Sequence, residues 1–206
     1  MLKIWGRISS INVQKVVWCA DELGISYERV DAGGTFGVND TPAYRKLNPN
    51  GLVPVVEDGD FVLYESNAVV RYLMARHSEG RLWPAELRMR ADIDRWMEWQ
   101  STGFTPAMLV AFWQLCRTPP DKRDAAAIEA SRAKGEKFAA VLDEHLAGRD
   151  HVAAGAFSAA DISVGCAAHR WLGLPMPKQA RPHIERWYAA LTKRPGARQV
   201  LSLPVS

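Results

Sequence analysis

Apolar positions recur at two different spacings along this chain, and the change from one to the other divides it. Residues 2–5 form a short apolar run that Gly6 halts. From Ser10 onward Val13, Val16, Val17, Ala20 and Leu23 recur at helical spacing until Gly24. Tyr27-Glu28-Arg29-Val30 alternates as a strand does, and Gly33-Gly34-Thr35-Phe36-Gly37 after it is too glycine-rich to hold regular structure. A βαβ unit with a right-handed crossover is the simplest arrangement. Val53-Pro54-Val55-Val56 and Phe61-Val62-Leu63-Tyr64 then flank Glu57-Asp58-Gly59-Asp60, whose Asp-Gly step signals a hairpin. Val69, Val70, Leu73 and Met74 predict a helix that opens at Glu65-Ser66 and stops near His77. The first 80 or so residues thus read βαβ followed by ββα.

Beyond Leu82-Trp83-Pro84 the strand pattern is gone and long helical segments rich in Ala, Arg and Trp replace it. The spacing predicts helices over roughly 86–116, 121–147, 159–172 and 181–193. Thr118-Pro119-Pro120, Gly148, Gly173-Leu174-Pro175 and Pro195-Gly196 punctuate them. Pro106 predicts a kink in the first. The expected fold class is therefore α/β plus all-α: a βαβ-ββα domain over residues 1–80 and an all-helical domain over 86–206.

Composition narrows the function classes. With 206 residues, 48% of them hydrophobic, the chain can bury a real core. Its net charge of +3 splits into −2 through Gly80 and +5 beyond. The basic residues are scattered, a poor footprint for nucleic acid or an anionic membrane. Cys19, Cys116 and Cys166 are odd in number and lack C-x-x-C spacing, which points away from a disulfide framework and toward a reducing compartment. Without an apolar leader or any window of eighteen apolar residues, a soluble cytoplasmic protein is expected. None of His77, His145, His151, His169 and His183 stands in a metal-ligand pattern, so no metal is expected. Cys19 falls inside the first helix rather than at its tip, which favours a packed, inert thiol.

Three short stretches can carry chemistry. Proline cannot donate to a sheet ladder, so Val53-Pro54 at the head of an apolar strand needs compensation. Either the proline is trans at an exposed edge, or a cis bond turns Val53 so that its N–H and C=O are offered to an extended peptide lying alongside. Glu65-Ser66 opens a helix, where free N–H groups and the dipole attract a carboxylate and Glu65 can pair with an ammonium. Ordinary capping is the alternative there. Ser10 and Asn12 stand at the tip of the first helix, a setting that favours a thiolate. Lowering a thiol from about 8.5 to about 6.5 requires roughly 2.7 kcal/mol. One hydrogen bond to an ion contributes about 1.5–3 kcal/mol, and the helix terminus about 0.3–1 kcal/mol. No general base is then required; the plain alternative is that Ser10 is only an N-cap.

Taken together, Ser10-Ile11-Asn12, Asn48-Pro49-Asn50-Gly51-Leu52-Val53-Pro54 and Tyr64-Glu65-Ser66-Asn67-Ala68 resemble the glutathione-site motifs of cytosolic glutathione transferases of the bacterial, serine-type, theta- or nu-like kind. Phe157-Ser158-Ala159-Ala160-Asp161-Ile162 resembles the capping box and hydrophobic staple of that family's second domain. The resemblance runs from Leu2 to about Arg198. It implies a thioredoxin-like first domain that binds glutathione as co-substrate and a helical domain that supplies the pocket for an apolar electrophile. By position it implies Val53 as the backbone partner of the cysteinyl residue, with Pro54 cis. Glu65 and Ser66 would hold the γ-glutamyl head group, and Ser10 and Asn12 would stand beside the sulfur. A homodimer is implied as well.

Two positions depart from the family pattern. Where some classes carry a His-Lys pair for the glycyl carboxylate, this chain has Asn39-Asp40, and Leu52 replaces a polar Gln. Asn39 is the remaining candidate donor. Trp99, Phe104, Met108, Phe112 and Trp113 are candidates for the electrophile pocket, with core or dimer contacts as the alternative. The expected activity is conjugation of the glutathione thiolate to an apolar electrophile. The alternatives are glutathione-dependent disulfide or peroxide reduction at the same site, or a non-catalytic interaction module.

Overall fold

The computed structural model describes all 206 residues, which form two compact units: Met1–Pro84 with Arg194–Ser202, and Ala85–Lys193 with Leu203–Ser206. In the first unit β1 (Leu2–Trp5), α1 (Ile11–Glu22) and β2 (Tyr27–Val30) make the expected parallel βαβ pair, with Leu2 beside Tyr27 and Trp5 beside Val30. The antiparallel strands β3 (Val55–Asp58) and β4 (Phe61–Tyr64) extend the sheet in the order β2-β1-β3-β4. Helix α3 (Ser66–His77) follows. Because side chains alternate across a strand, the sheet has two buried faces. Ile4 and its partner Val56 share one of them. Trp5 and Val55 share the other, where they pack with Tyr44 and Ala32.

Tyr44 belongs to α2 (Pro42–Leu47), a helix that the apolar spacing did not predict. Only Tyr44 of its six residues is buried, so it has no periodic stripe to read. Its signal is local: Thr41 caps it by accepting from the Tyr44 N–H, and Pro42 occupies its first turn. The glycine-rich stretch before it holds one 3-10 turn, Gly34–Phe36. Val53 and Pro54, expected as strand, lie just outside β3, since proline has no N–H for the ladder.

The second unit is all-helical. Its first long segment comprises α4 (Leu87–Trp99), a π-helical stretch at Gln100–Phe104, and α5 (Thr105–Cys116). The irregularity expected at Pro106 thus falls just before it; Pro106 sits in the first turn of α5, directly after the π-helical stretch. Next come α6 (Ala125–His145), α7 (Ala159–Gly173) and α8 (Pro182–Leu191). Helix α7 is buried almost all round, and Trp171 packs against Gly135 of α6, where any Cβ would fall 2.3 Å from the indole. Its start carries the expected capping box: the fully buried Asp161 carboxylate accepts the Ser158 N–H at 3.0 Å. The same carboxylate accepts from Val152 N–H at 3.0 Å and from Trp187 Nε1 at 2.9 Å.

Residues 194–202, expected with the helical domain, pack on α1 in the first unit instead. A 3-10 turn (Pro195–Ala197) and the short α9 (Arg198–Leu201) bury Ala197, Val200 and Leu201, and Arg194 forms an ion pair with Glu22. No helix is long and apolar enough to cross a membrane.

Candidate functional site

The Val53–Pro54 peptide bond is cis. Three side chains hold the loop before it by its carbonyls. Asn39 Nδ2 donates to Gly51 O at 2.7 Å, while the Tyr44 hydroxyl and Asn48 Nδ2 each donate to Leu52 O at 2.9 Å. Gly6, with φ +148°, lets this loop and α1 approach closely. A Cβ there would lie 2.4 Å from Val13 Cγ2 and 3.2 Å from Val53 Cβ. Val53 itself, half-buried, pairs with no other backbone group, so its N–H and C=O form an open edge. Leu52 beside it is 63% exposed.

Two helix tips converge next to that edge. Ser10, extended at the N-cap of α1, donates its N–H to Arg7 O and accepts the Gln14 N–H through its carbonyl, but its hydroxyl makes no capping bond. At α3 the N-cap is Glu65, with φ +70°, a conformation uncommon for a residue other than glycine. Its side chain is exposed and makes no capping bond. The β3–β4 register, Val55 opposite Tyr64, sets Glu65 across from Pro54 when continued by one residue.

Side-chain bonds hold the two tips together. The Ser66 hydroxyl donates to Asn12 Oδ1 at 3.3 Å, and one turn deeper Lys15 Nζ donates to Asn67 Oδ1 at 3.3 Å. The first bond engages the oxygen end of the exposed Asn12 amide and leaves its N–H₂ end uncommitted. The second places a lysine that is 1% exposed within a turn of both tips. Two helix N-termini together favour negative charge at this corner. By contrast, Cys19 is fully buried with Sγ 3.9 Å from Val70 O, and burial, then the charge of Glu22, pushes its thiol well up. It is a packing residue.

The sites predicted from sequence therefore fall into separate groups. Ser10, Asn12, Val53, Pro54, Glu65 and Ser66 come together. Asn39, the expected carboxylate donor, uses one N–H of its amide to brace Gly51. The five aromatic and Met candidates do not share one wall. Phe104 and Met108 are fully buried in the core of the helical unit, and Trp99 packs against Trp96, Phe104 and Phe138. Phe112 lies beneath the Arg170 guanidinium at 4.0 Å, and Trp113 is 52% exposed. Tyr44, Asn48, Lys15 and Asn67 were missed. The signal for Lys15 was a charge set inside the apolar run from Val13 to Ala20.

Residues 1–75 match the family described as "Glutathione S-transferase, N-terminal domain", and residues 125–190 match "Glutathione S-transferase, C-terminal domain". The chain is 38% identical over 208 residues to glutathione S-transferase GstB of Escherichia coli K12, covering all of both chains. The chain belongs to the glutathione S-transferase family. Glutathione S-transferase 3 of Zea mays is 32% identical, with 98% of this chain and 93% of that one covered. Among solved structures, the theta class glutathione S-transferase of Xanthomonas axonopodis pv. citri with glutathione bound superposes with a TM-score of 0.96. It is 41% identical over 100% of this chain and 99% of that one. In this family member the thioredoxin-like unit carries the open edge and both helix tips, and the second unit is the family's helical domain.

Proposed function

We propose that this protein is a glutathione transferase that joins the glutathione thiolate to an apolar electrophile. One observation carries the reading: the open Val53 backbone lies beside two helix N-termini joined by the Ser66–Asn12 bond. An extended tripeptide pairs its cysteinyl backbone with Val53. Its γ-glutamyl carboxylate faces the first N–H groups of α3, and its ammonium faces the Glu65 carboxylate. The sulfur then meets the Ser10 hydroxyl, which capping leaves free, and the uncommitted amide N–H₂ of Asn12. Catalysis consists of holding the thiolate and placing it, with no protein nucleophile and no general base.

The electrophile site is assigned to the helical unit, with the exposed Trp113 and its neighbour Phe112 as first candidates. Three free thiols support a reducing, cytoplasmic setting, and the family relationship supports a homodimer. The test is binding to immobilised glutathione together with glutathione-dependent conjugation of a chlorodinitrobenzene. Binding with turnover is expected. A protein that neither binds glutathione nor is thermally stabilised by it is not a transferase.

A further inference from the structure

We propose that the electrophile conjugated by this protein is an organic anion, an apolar aromatic body bearing a carboxylate that Arg117 and Arg170 hold against Phe112 and Trp113. This rests on the transferase reading above, which assigns the electrophile to the helical unit and to those two rings first. What it adds is the charge that the electrophile carries.

Two arginines lie on the same ring. The Arg170 guanidinium, on the buried helix α7, is 4.0 Å from the centre of Phe112, and that of Arg117, at the end of α5, is 5.4 Å from it. Arg117 also lies 5.6 Å from the centre of Trp113. A guanidinium resting on an aromatic face keeps its N–H donors at its edge, where they match the two oxygens of a carboxylate. Arg117 uses Nη2, which donates to Ser206 O at 2.8 Å, and leaves Nε and Nη1 uncommitted.

A third cation stands close by. Arg123 donates from Nε to Thr118 O at 3.1 Å and from Nη2 to Leu115 O at 2.8 Å, which fixes its charge beside the last turn of α5. The Cys116 thiol registers all three: burial raises its pKa, while the charges of Arg170, Arg117 and Arg123 pull it down. No Asp or Glu side chain pairs with Arg117 or Arg123. Asp124, next to Arg123 in the chain, instead accepts the Ala127 N–H at 2.9 Å and caps α6. Positive charge therefore gathers at the end of α5 beside an indole, that of Trp113, which is 52% exposed. A neutral electrophile makes no use of that charge, whereas an anionic one gains a charge-assisted bond. In the reaction the carboxylate is a spectator. The glutathione sulfur forms a bond to the ring carbon that carries a halogen, and the halide leaves with the bonding pair, so no further reactant is consumed.

The test measures kcat/KM for a chlorodinitrobenzoate and for the corresponding chlorodinitrobenzamide. Each value is divided by the uncatalysed rate with free glutathione thiolate, which cancels the difference in ring reactivity. The wild-type protein is expected to favour the benzoate by about tenfold, as a charge-assisted fork at a partly exposed site provides. Arg117→Met is expected to cut that preference to about twofold or less, and Arg117→Lys, which keeps the charge without the fork, to about three- to fivefold. Arg117 is the residue to vary because it is exposed, whereas Arg170 is buried. The ratio is the readout, since a general disturbance of α5 slows both compounds alike. A wild-type ratio of one or less overturns the anionic class, and an Arg117→Met variant that keeps the wild-type ratio overturns the role of the arginine. In both cases conjugation of an uncharged chlorodinitrobenzene leaves the transferase reading standing. If the protein conjugates none of the three compounds, the transferase reading itself fails, and the proposal with it.

Discussion

Replacing Ser10 by alanine separates two roles that the sequence could not distinguish. A serine N-cap ordinarily contributes about 0.5–2 kcal/mol through its side-chain bond to the helix. Here that bond is absent, since the Ser10 hydroxyl caps nothing and only its backbone engages Arg7 and Gln14. Ser10→Ala is therefore expected to change unfolding stability by no more than about 0.5 kcal/mol. Its effect on bound glutathione should be much larger. One hydrogen bond to an ionised sulfur contributes about 1.5–3 kcal/mol. At 1.36 kcal/mol per unit the thiol pKa should then rise by about 1–2 units. Titrating the thiolate absorbance of the enzyme–glutathione complex measures the rise directly. The conjugation rate should fall about 10- to 100-fold below the wild-type thiol pKa and recover as pH exceeds that of the variant. The opposite pair of results, a loss of 1 kcal/mol or more in stability with an unchanged thiol titration, would return Ser10 to an ordinary cap.

Glu65→Gly should gain about 0.5–1 kcal/mol of stability by relieving the positive φ, yet bind glutathione several-fold more weakly; unaltered affinity in titration calorimetry would remove Glu65 from the site. Asp161→Ala should cost about 4 kcal/mol in urea unfolding, because three buried donors lose their acceptor at once, and Asp161→Asn, which keeps one oxygen, should cost about half as much. A cost under 1 kcal/mol for the alanine variant would contradict that account. Burial lowers the pKa of His169 from its ordinary 6.5, so between its native and unfolded values the unfolded chain holds more protons. The stability that the neutral ring contributes is complete above about 6.5 and is lost as pH falls through the lower native value. Melting curves across that range should fall more steeply for wild type than for His169→Gln, and parallel curves would exclude His169 as the source.

Where an element depends on a repeating apolar stripe, the chain declares it: α1, α3 and α7 follow their spacing, and the Asp-Gly step marks the β3–β4 hairpin. The elements missed are those whose stability lies elsewhere. Helix α2 has one buried residue and depends on Thr41 and Pro42 at its start. The π-helical stretch Gln100–Phe104 is a shift in backbone bonding that no side-chain period encodes. In the candidate site, the positions of Ser10, Val53, Glu65 and Ser66 were legible because each sits at a helix tip or strand head. Lys15–Asn67 was not, because it joins residues 52 apart, and the bracing of Leu52 O by Tyr44 and Asn48 was not, because it depends on the path of the loop rather than on any spacing of residue types. Phe104 and Met108 show the limit of composition, since an aromatic or Met at helical spacing looks the same whether it lines a pocket or fills a core.

The return of residues 194–202 to α1 has a consequence for biosynthesis. Gly196 fits so closely against the Glu22 backbone that a Cβ would lie 2.8 Å from it, and Arg194 neutralises the Glu22 carboxylate. The unit whose strands precede the helical segments in the chain is thus sealed by a segment synthesised after them. Until residue 202 is free, one flank of its opening helix stays wet, and the nascent sheet must wait for the whole helical half to pass before it is finished.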